Sequence, residues 1–138
     1  MATTFTGIFV SQRGRLLVAH TGDSRAYLLR SEVLTRETRD DSFVQALVDN
    51  GLVPPEAAAS HPRRNIITAS LQGAEGDAAS VVDREARPGD RWLLCSDGVS
   101  DYLPDDELAC VLSASGSAEA AAQELVALAL EAGTRDNA

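Results

Sequence analysis

The chain has 138 residues, enough for one domain, and its 44% apolar content excludes a disordered polymer. Its 21 acids outweigh 12 basic residues, all arginine, for a net charge of −9. That balance excludes a generic binder of nucleic acid or anionic membrane, since phosphate surfaces need cationic partners; it leaves metal cations, basic partners or simple solubility. From the N-terminus, Phe5–Ser11 is mostly β-branched or aromatic and predicts a strand. Arg13-Gly14 marks a turn, and Arg15–His20 reads as a short buried strand. After Gly22-Asp23-Ser24 comes a third strand, Arg25–Arg30, and a turn at Ser31-Glu32 leads to Val33–Thr35. The links are too short for parallel crossovers, so the pattern predicts an antiparallel meander.

The middle of the chain changes character. Asp41-Ser42 can cap a helix with Phe43, Val44, Leu47 and Val48 on its apolar side, and Gly51 can end it. Pro54-Pro55 opens a second short helix, and His61-Pro62-Arg63-Arg64-Asn65 breaks regularity. This segment reads as a helical flap inserted between strands. Strands return at Ser80–Ala86 and Arg91–Ser96, joined by a Pro88-Gly89-Asp90 turn. Pro104 begins a helix with three acids in its first turn. Ser117 caps a last helix whose predicted apolar face is Ala118, Ala121, Ala122, Leu125, Leu128, Ala129 and Ala132. The fold class is therefore α+β, an antiparallel sheet flanked by helices.

No apolar run approaches the ~20 residues of a membrane helix, and the N-terminus lacks the charged and apolar regions of a secretory signal. Cys95 and Cys110 have neither metal-site spacing nor disulfide-framework density, and read as small core residues in a reducing, cytoplasmic compartment. Three aspartates carry the chemical interest. Asp23 follows Gly22 at a strand end, Asp97 precedes Gly98 at the end of the most apolar strand, and Asp136 sits with Asn137 past the last helix. Hard divalent cations take carboxylate oxygens of this kind, and clustered like charges persist best around a cation. Each motif alone is also ordinary turn chemistry. His20 reads as a satisfied core histidine, His61 as a loop residue, and Arg63-Arg64 as a solvated pair or an anion contact. No nucleophile elbow, Walker sequence or dinucleotide fingerprint is present.

Taken in order, these segments resemble the metal-dependent PP2C family of protein serine/threonine phosphatases. The resemblance rests on Thr21-Gly22-Asp23-Ser24-Arg25-Ala26-Tyr27, on Asp40-Asp41-Ser42, on His61-Pro62-Arg63-Arg64-Asn65, on Cys95-Ser96-Asp97-Gly98-Val99-Ser100-Asp101 and on Asp136-Asn137. It covers nearly the whole chain and is nearest to the bacterial branch. It implies a β-sandwich of antiparallel sheets flanked by helices, with residues about 40–71 as a flap beside the site. It also implies two Mg²⁺ or Mn²⁺ ions, with a possible third, and a bridging water that attacks phosphoserine or phosphothreonine. By matching position, Asp97 and Asp136 would be ligands of the catalytic metals, and Asp23 with Asp97 would help hold the third. The implied partners are phosphorylated proteins, the substrates of a Ser/Thr kinase.

The family's early phosphate-gripping arginine and its Asp-Gly-x-Gly-Gly segment do not occur in this sequence. Residues 1–138 therefore read as a partial phosphatase domain, truncated at the N-terminus and slightly at the C-terminus, with weak or no activity by itself. The alternative is a non-catalytic regulatory or interaction module on a degenerate phosphatase fold.

Overall fold

A computed structural model describes residues 2–11 and 14–135. Two three-stranded antiparallel sheets form its centre. The first contains β1 (Phe5–Val10), β2 (Arg15–Thr21) and β5 (Ser80–Glu85), in the order β1-β2-β5. The second contains β3 (Arg25–Arg30), β4 (Val33–Arg36) and β6 (Arg91–Cys95), in the order β4-β3-β6. The predicted meander is thus split. β1 and β5 occupy both edges of β2, so β3 has no edge of β2 to join. The Gly22–Ser24 link carries the chain from one sheet to the other instead of closing a hairpin.

Side-chain parity explains the layering. In β2, Leu16 and Val18 are buried while Arg15 and Leu17 are exposed, so this strand is amphipathic rather than buried throughout. Its inner face meets Ala26 of β3, with Ile8, Ala86 and Trp92 around them, and forms a small core between the sheets. β3 is buried on both faces. Tyr27 and Leu29 point away from the first sheet, into a larger core roofed by helices.

Those helices are α3 (Asp97–Ser100), α4 (Asp105–Ala114) and α5 (Ala118–Glu131). Ser117 caps α5 as predicted, accepting from the Ala120 N–H at 3.1 Å. The buried stripe of α5 is narrower than expected: Ala121, Leu125 and Ala129 lie inside with Leu128 half-buried against the same core, whereas Ala118, Ala122 and Ala132 are exposed. One neighbouring layer covers one stripe of a helix and no more. The same geometry corrects the reading of Cys110. The inward stripe of α4 is Leu108, Val111 and Leu112, which turns Cys110 to solvent. Cys95, at the end of β6, is half-buried, and burial pushes its thiol up to about 11.

The segment between β4 and β5 carries α1 (Phe43–Asp49) and α2 (Pro55–Ala58). Ser42 caps α1 through its hydroxyl and the Gln45 N–H. The base of the segment is sewn down by backbone bonds: Phe43 N–H to the Ile66 carbonyl at 2.8 Å, and Thr68 N–H to the Asp41 carbonyl at 2.8 Å. Among the described residues, no helix is long and apolar enough to cross a membrane.

Candidate metal centre

Asp23 stands on the three-residue link between the two sheets, and several bonds fix that link. Gly22 adopts φ of +103°, a conformation that favours glycine. Its N–H donates to the Asp41 carboxylate at 3.0 Å, and its carbonyl accepts from the Asp41 N–H at 2.7 Å. Thr4 and Ser24 share a hydroxyl hydrogen bond at 2.9 Å, and the Thr6 hydroxyl donates to the Ser24 carbonyl at 2.7 Å. The Asp23 backbone is therefore held from both sides.

Asp97 opens α3 directly after β6. The buried residues Gly98 and Val99 anchor that turn, while Asp97 itself is half-buried. Sequence reasoning placed Asp97 at a strand end; it is also the first residue of a helical turn, where a carboxylate suits the backbone N–H groups. Asp23 and Asp97 lie in one electrostatic field. Burial raises the Asp23 carboxyl above its ordinary range, the negative charge of Asp97 raises it further, and Asp40 and Asp101 add smaller contributions. Asp101 is likewise raised, first by burial, with Arg25 and Arg64 opposing and Asp97 and Asp40 adding to the rise.

Asp23, Asp40 and Asp101 border a cleft of about 490 Å³. Asp23, Asp101 and Asp105 line one part of it, and Val48, Pro55 and Arg64 from the α1–α2 segment line another. Arg64 crosses to Asp101, with N···O of 3.4 Å. Arg63 lies over the Phe43 ring at 5.6 Å, a cation–π contact that accounts for one member of the arginine pair. His61 is half-buried, and its Nδ1 accepts from the Arg63 N–H at 3.1 Å. His20 is buried and satisfied as expected, 3.0 Å from the Thr6 hydroxyl and 3.0 Å from the Arg39 carbonyl.

Of the three aspartates singled out in the sequence, two are brought together, and Asp136 lies outside the described residues. Among the described residues, no group of three or more His, Cys, Asp or Glu side chains could hold a metal ion. Asp23 and Asp97 could offer such an ion two carboxylates. That fits a hard cation such as Mg²⁺, which keeps several waters and takes one or two carboxylates. Sequence reasoning did not single out Arg25, Asp40 or Asp101. Arg25 forks onto Asp40, Nε to Oδ1 at 3.0 Å and Nη2 to Oδ2 at 2.7 Å, beneath the acid cluster. Both members stand in motifs of the resemblance, Gly22-Asp23-Ser24-Arg25 and Asp40-Asp41-Ser42, and that is the signal that points to them.

The shared field of Asp23 and Asp97 has a measurable consequence. In chelator-treated protein, Asp97→Asn is expected to let Asp23 titrate at lower pH than in the wild type, but only partway to its ordinary range, because burial remains. Carboxyl ¹³C chemical shifts across a pH titration check this; an unmoved Asp23 titration would show that the two carboxylates do not share a field. A carboxyl raised by the fold weakens the fold as pH climbs from its unfolded value through its folded value. The Asp97→Asn variant should therefore lose less stability over that climb, in a pH series of urea midpoints.

No protein-family model matches the chain. Individual proteins do. The serine/threonine protein phosphatase PstP of Mycobacterium tuberculosis is 48% identical over 137 residues, covering 99% of this chain and 26% of that protein. The serine/threonine phosphatase stp of Listeria monocytogenes is 35% identical over 140 residues, covering 99% of this chain and 54% of that protein. Among solved structures, the catalytic domain of PstP in complex with two manganese ions superposes with a TM-score of 0.87 at 45% identity, covering 99% of this chain and 56% of that one. The chain thus spans between a quarter and about half the length of these relatives.

Proposed function

Because this chain belongs to the PP2C-type family of metal-dependent protein serine/threonine phosphatases, we propose that residues 1–138 supply part of a phosphoserine/phosphothreonine hydrolase. In this reading residues about 40–71 form the flap beside the site, and Asp23, Asp97 and Asp136 are the chain's contribution to a Mg²⁺ or Mn²⁺ centre. The observation that carries it is the pairing of Arg25 opposite Cys95, which sets the Asp23 link beside the Asp97 turn, with Asp23 on the wall of the cleft. Carboxylates gathered without a cation repel one another, so their gathering is support for one.

Mg²⁺ or Mn²⁺ bound there supplies a Lewis acid, which makes water a better nucleophile and neutralises charge on phosphoryl oxygens. The chain's own residues do the rest. Asp23 and Asp97 aim oxygens from two rigid turns. Arg64 and Arg36, on the cleft wall, offset the acids that would otherwise turn away a phosphoryl dianion. Arg64 is already paired with Asp101, so its charge is directed at the same rim. Phosphorylated proteins, products of a Ser/Thr kinase, are the substrates this arrangement suits. The two free thiols fit a reducing, cytoplasmic setting.

The test pairs binding with turnover. This chain is expected to bind Mn²⁺ and to lose that binding in Asp97→Asn, while hydrolysing a phosphothreonine peptide slowly or not at all in excess Mn²⁺. Slow turnover follows because the sequence lacks the Asp-Gly-x-Gly-Gly carboxylate that completes the ligand set in the family. Turnover at the rate of an intact enzyme would overturn the partial-site reading. A folded chain that ignores Mn²⁺ altogether would favour the non-catalytic module.

A further inference from the structure

Arg25 is the most buried arginine in an ion pair among the described residues, with its side chain 18% exposed and that of its partner Asp40 9% exposed. Nothing in the chemistry proposed above uses it. Its guanidinium nevertheless sits where three parts of the site meet. The first is the link bearing Asp23, since Arg25 begins β3 two residues later. The second is the base of the α1–α2 segment, because Asp40 accepts the Nε and Nη2 fork and the next residue, Asp41, is tied to Gly22 through both its backbone N–H and its carboxylate. The third is α3, because Nη1 reaches the carbonyl of Ser100, the last residue of the turn that Asp97 opens, at 3.4 Å. The backbone pairing adds to this: Arg25 lies opposite Cys95, the end of the strand that leads into Asp97. The same Nη1 also contacts the Tyr27 hydroxyl at 3.4 Å.

We propose that Arg25 is a positioning residue: its planar fork locks the flap base to the α3 turn and so fixes the spacing of Asp23 and Asp97 for a divalent cation. This rests on the metal reading of the site given above. The alternative role for a buried cation beneath an acid cluster is charge alone, softening repulsion among Asp23, Asp97 and Asp101. The two roles separate cleanly in a lysine variant. Lysine keeps the charge but has one nitrogen in place of a rigid fork, and it cannot hold the Asp40 carboxylate on two edges while reaching Ser100.

The experiment uses the 138-residue chain, with Mn²⁺ binding followed by the electron paramagnetic resonance of free Mn²⁺ and backbone order followed by hydrogen exchange. Arg25→Lys is expected to weaken Mn²⁺ binding at least tenfold. It should also speed exchange on both sides of the strut, at the Asp41 and Thr68 amides of the flap base and the Asp101 and Leu103 amides that close α3. Asp40→Asn should reproduce both effects, and the double variant should be no worse than either single one, because a shared interaction is lost only once. Should either single variant fold poorly, the other still decides. Arg25→Lys with wild-type Mn²⁺ affinity would assign the residue to charge balance and overturn the proposal. Faster exchange on one side alone, or on both sides with Mn²⁺ affinity unchanged, would overturn it as well. A wild-type chain that binds no Mn²⁺ at millimolar concentration would instead overturn the metal reading.

Discussion

Gly22→Ala is expected to cost about 3 kcal/mol of folding stability or more and to weaken Mn²⁺ binding beyond what that loss explains. Two costs coincide at this position. The φ of +103° is one that residues with a Cβ rarely adopt. In addition, a Cβ there would lie 2.4 Å from Thr4 Cγ2 and 2.6 Å from Thr4 Cβ, closer than atoms pack. Thr4 cannot step aside cheaply, since its hydroxyl is bonded to Ser24 and its neighbour Thr3 is bridged to Leu71. The link itself must give, and with it the two hydrogen bonds to Asp41 and the aim of Asp23. Gly89 is the matched control. It also has a positive φ, +87°, but nothing lies within 4 Å of its would-be Cβ. Gly89→Ala should cost about 1 kcal/mol, the backbone part alone. Urea midpoints for the two variants check the stability difference. Mn²⁺ titration of Gly22→Ala well below its melting temperature checks the site. Equal losses in the two variants would mean that the Thr4 contact relaxes freely.

That contrast also marks what the residues declare and what they withhold. Cap chemistry is local, so Ser42 and Ser117 announce the helices they start, and both accept the expected N–H bonds. Glycine, proline and strand parity are local too, and they place β1 to β6 within a residue or two of their observed ends. Which strand joins which sheet is not local. Short links around β2 and β3 suit a hairpin as well as a sheet switch, and the switch follows from β5, which takes the edge of β2 from far along the chain. The site divides in the same way. Glycine beside Asp23 and Asp97 is visible, but residue type leaves turn chemistry and metal both open, and the metal reading comes from the family resemblance. The convergence of those acids depends on β3 pairing with β6, which brings the Asp23 link beside the Asp97 turn. The Arg25–Asp40 pair is hidden for the same reason: fifteen residues and a hairpin separate its members, and nothing in their spacing tells a buried fork from two solvated charges. Cys110 shows the converse error. Its apolar neighbours in sequence suggested burial, but the stripe of Leu108, Val111 and Leu112 gives the inward side to them.

The larger core predicts where stability is concentrated, and why the site depends on residues far from it. Leu108→Ala is expected to cost about 2–5 kcal/mol, the usual range for emptying a fully buried leucine site. Leu108 is completely buried among Tyr27, Val99, Leu103, Val111 and Leu125, drawn from β3, α4, α5 and the stretch around α3. Collapse into the cavity would require these elements to move together, and the β3 ladders and the Ser117 cap of α5 resist that, so the cost should fall in the upper part of that range. Small domains hold about 5–15 kcal/mol in all, so this one change removes a large fraction. Leu130→Ala, on the same helical layer but 60% exposed, should lie within about 0.5 kcal/mol of the wild type. The consequence reaches the acids through Val99 and Leu103. Val99 sits in the same turn as Asp97, and the Leu103 N–H closes onto the Val99 carbonyl at 3.0 Å, so a loosened floor loosens Asp97. Leu108→Ala should therefore speed hydrogen exchange at the Asp101 and Leu103 amides while leaving the β1–β2 ladder, which belongs to the other sheet and the smaller core, protected. Uniform acceleration across both sheets would mean that the two cores open as one unit, and that the α3 turn has no stability of its own to lose.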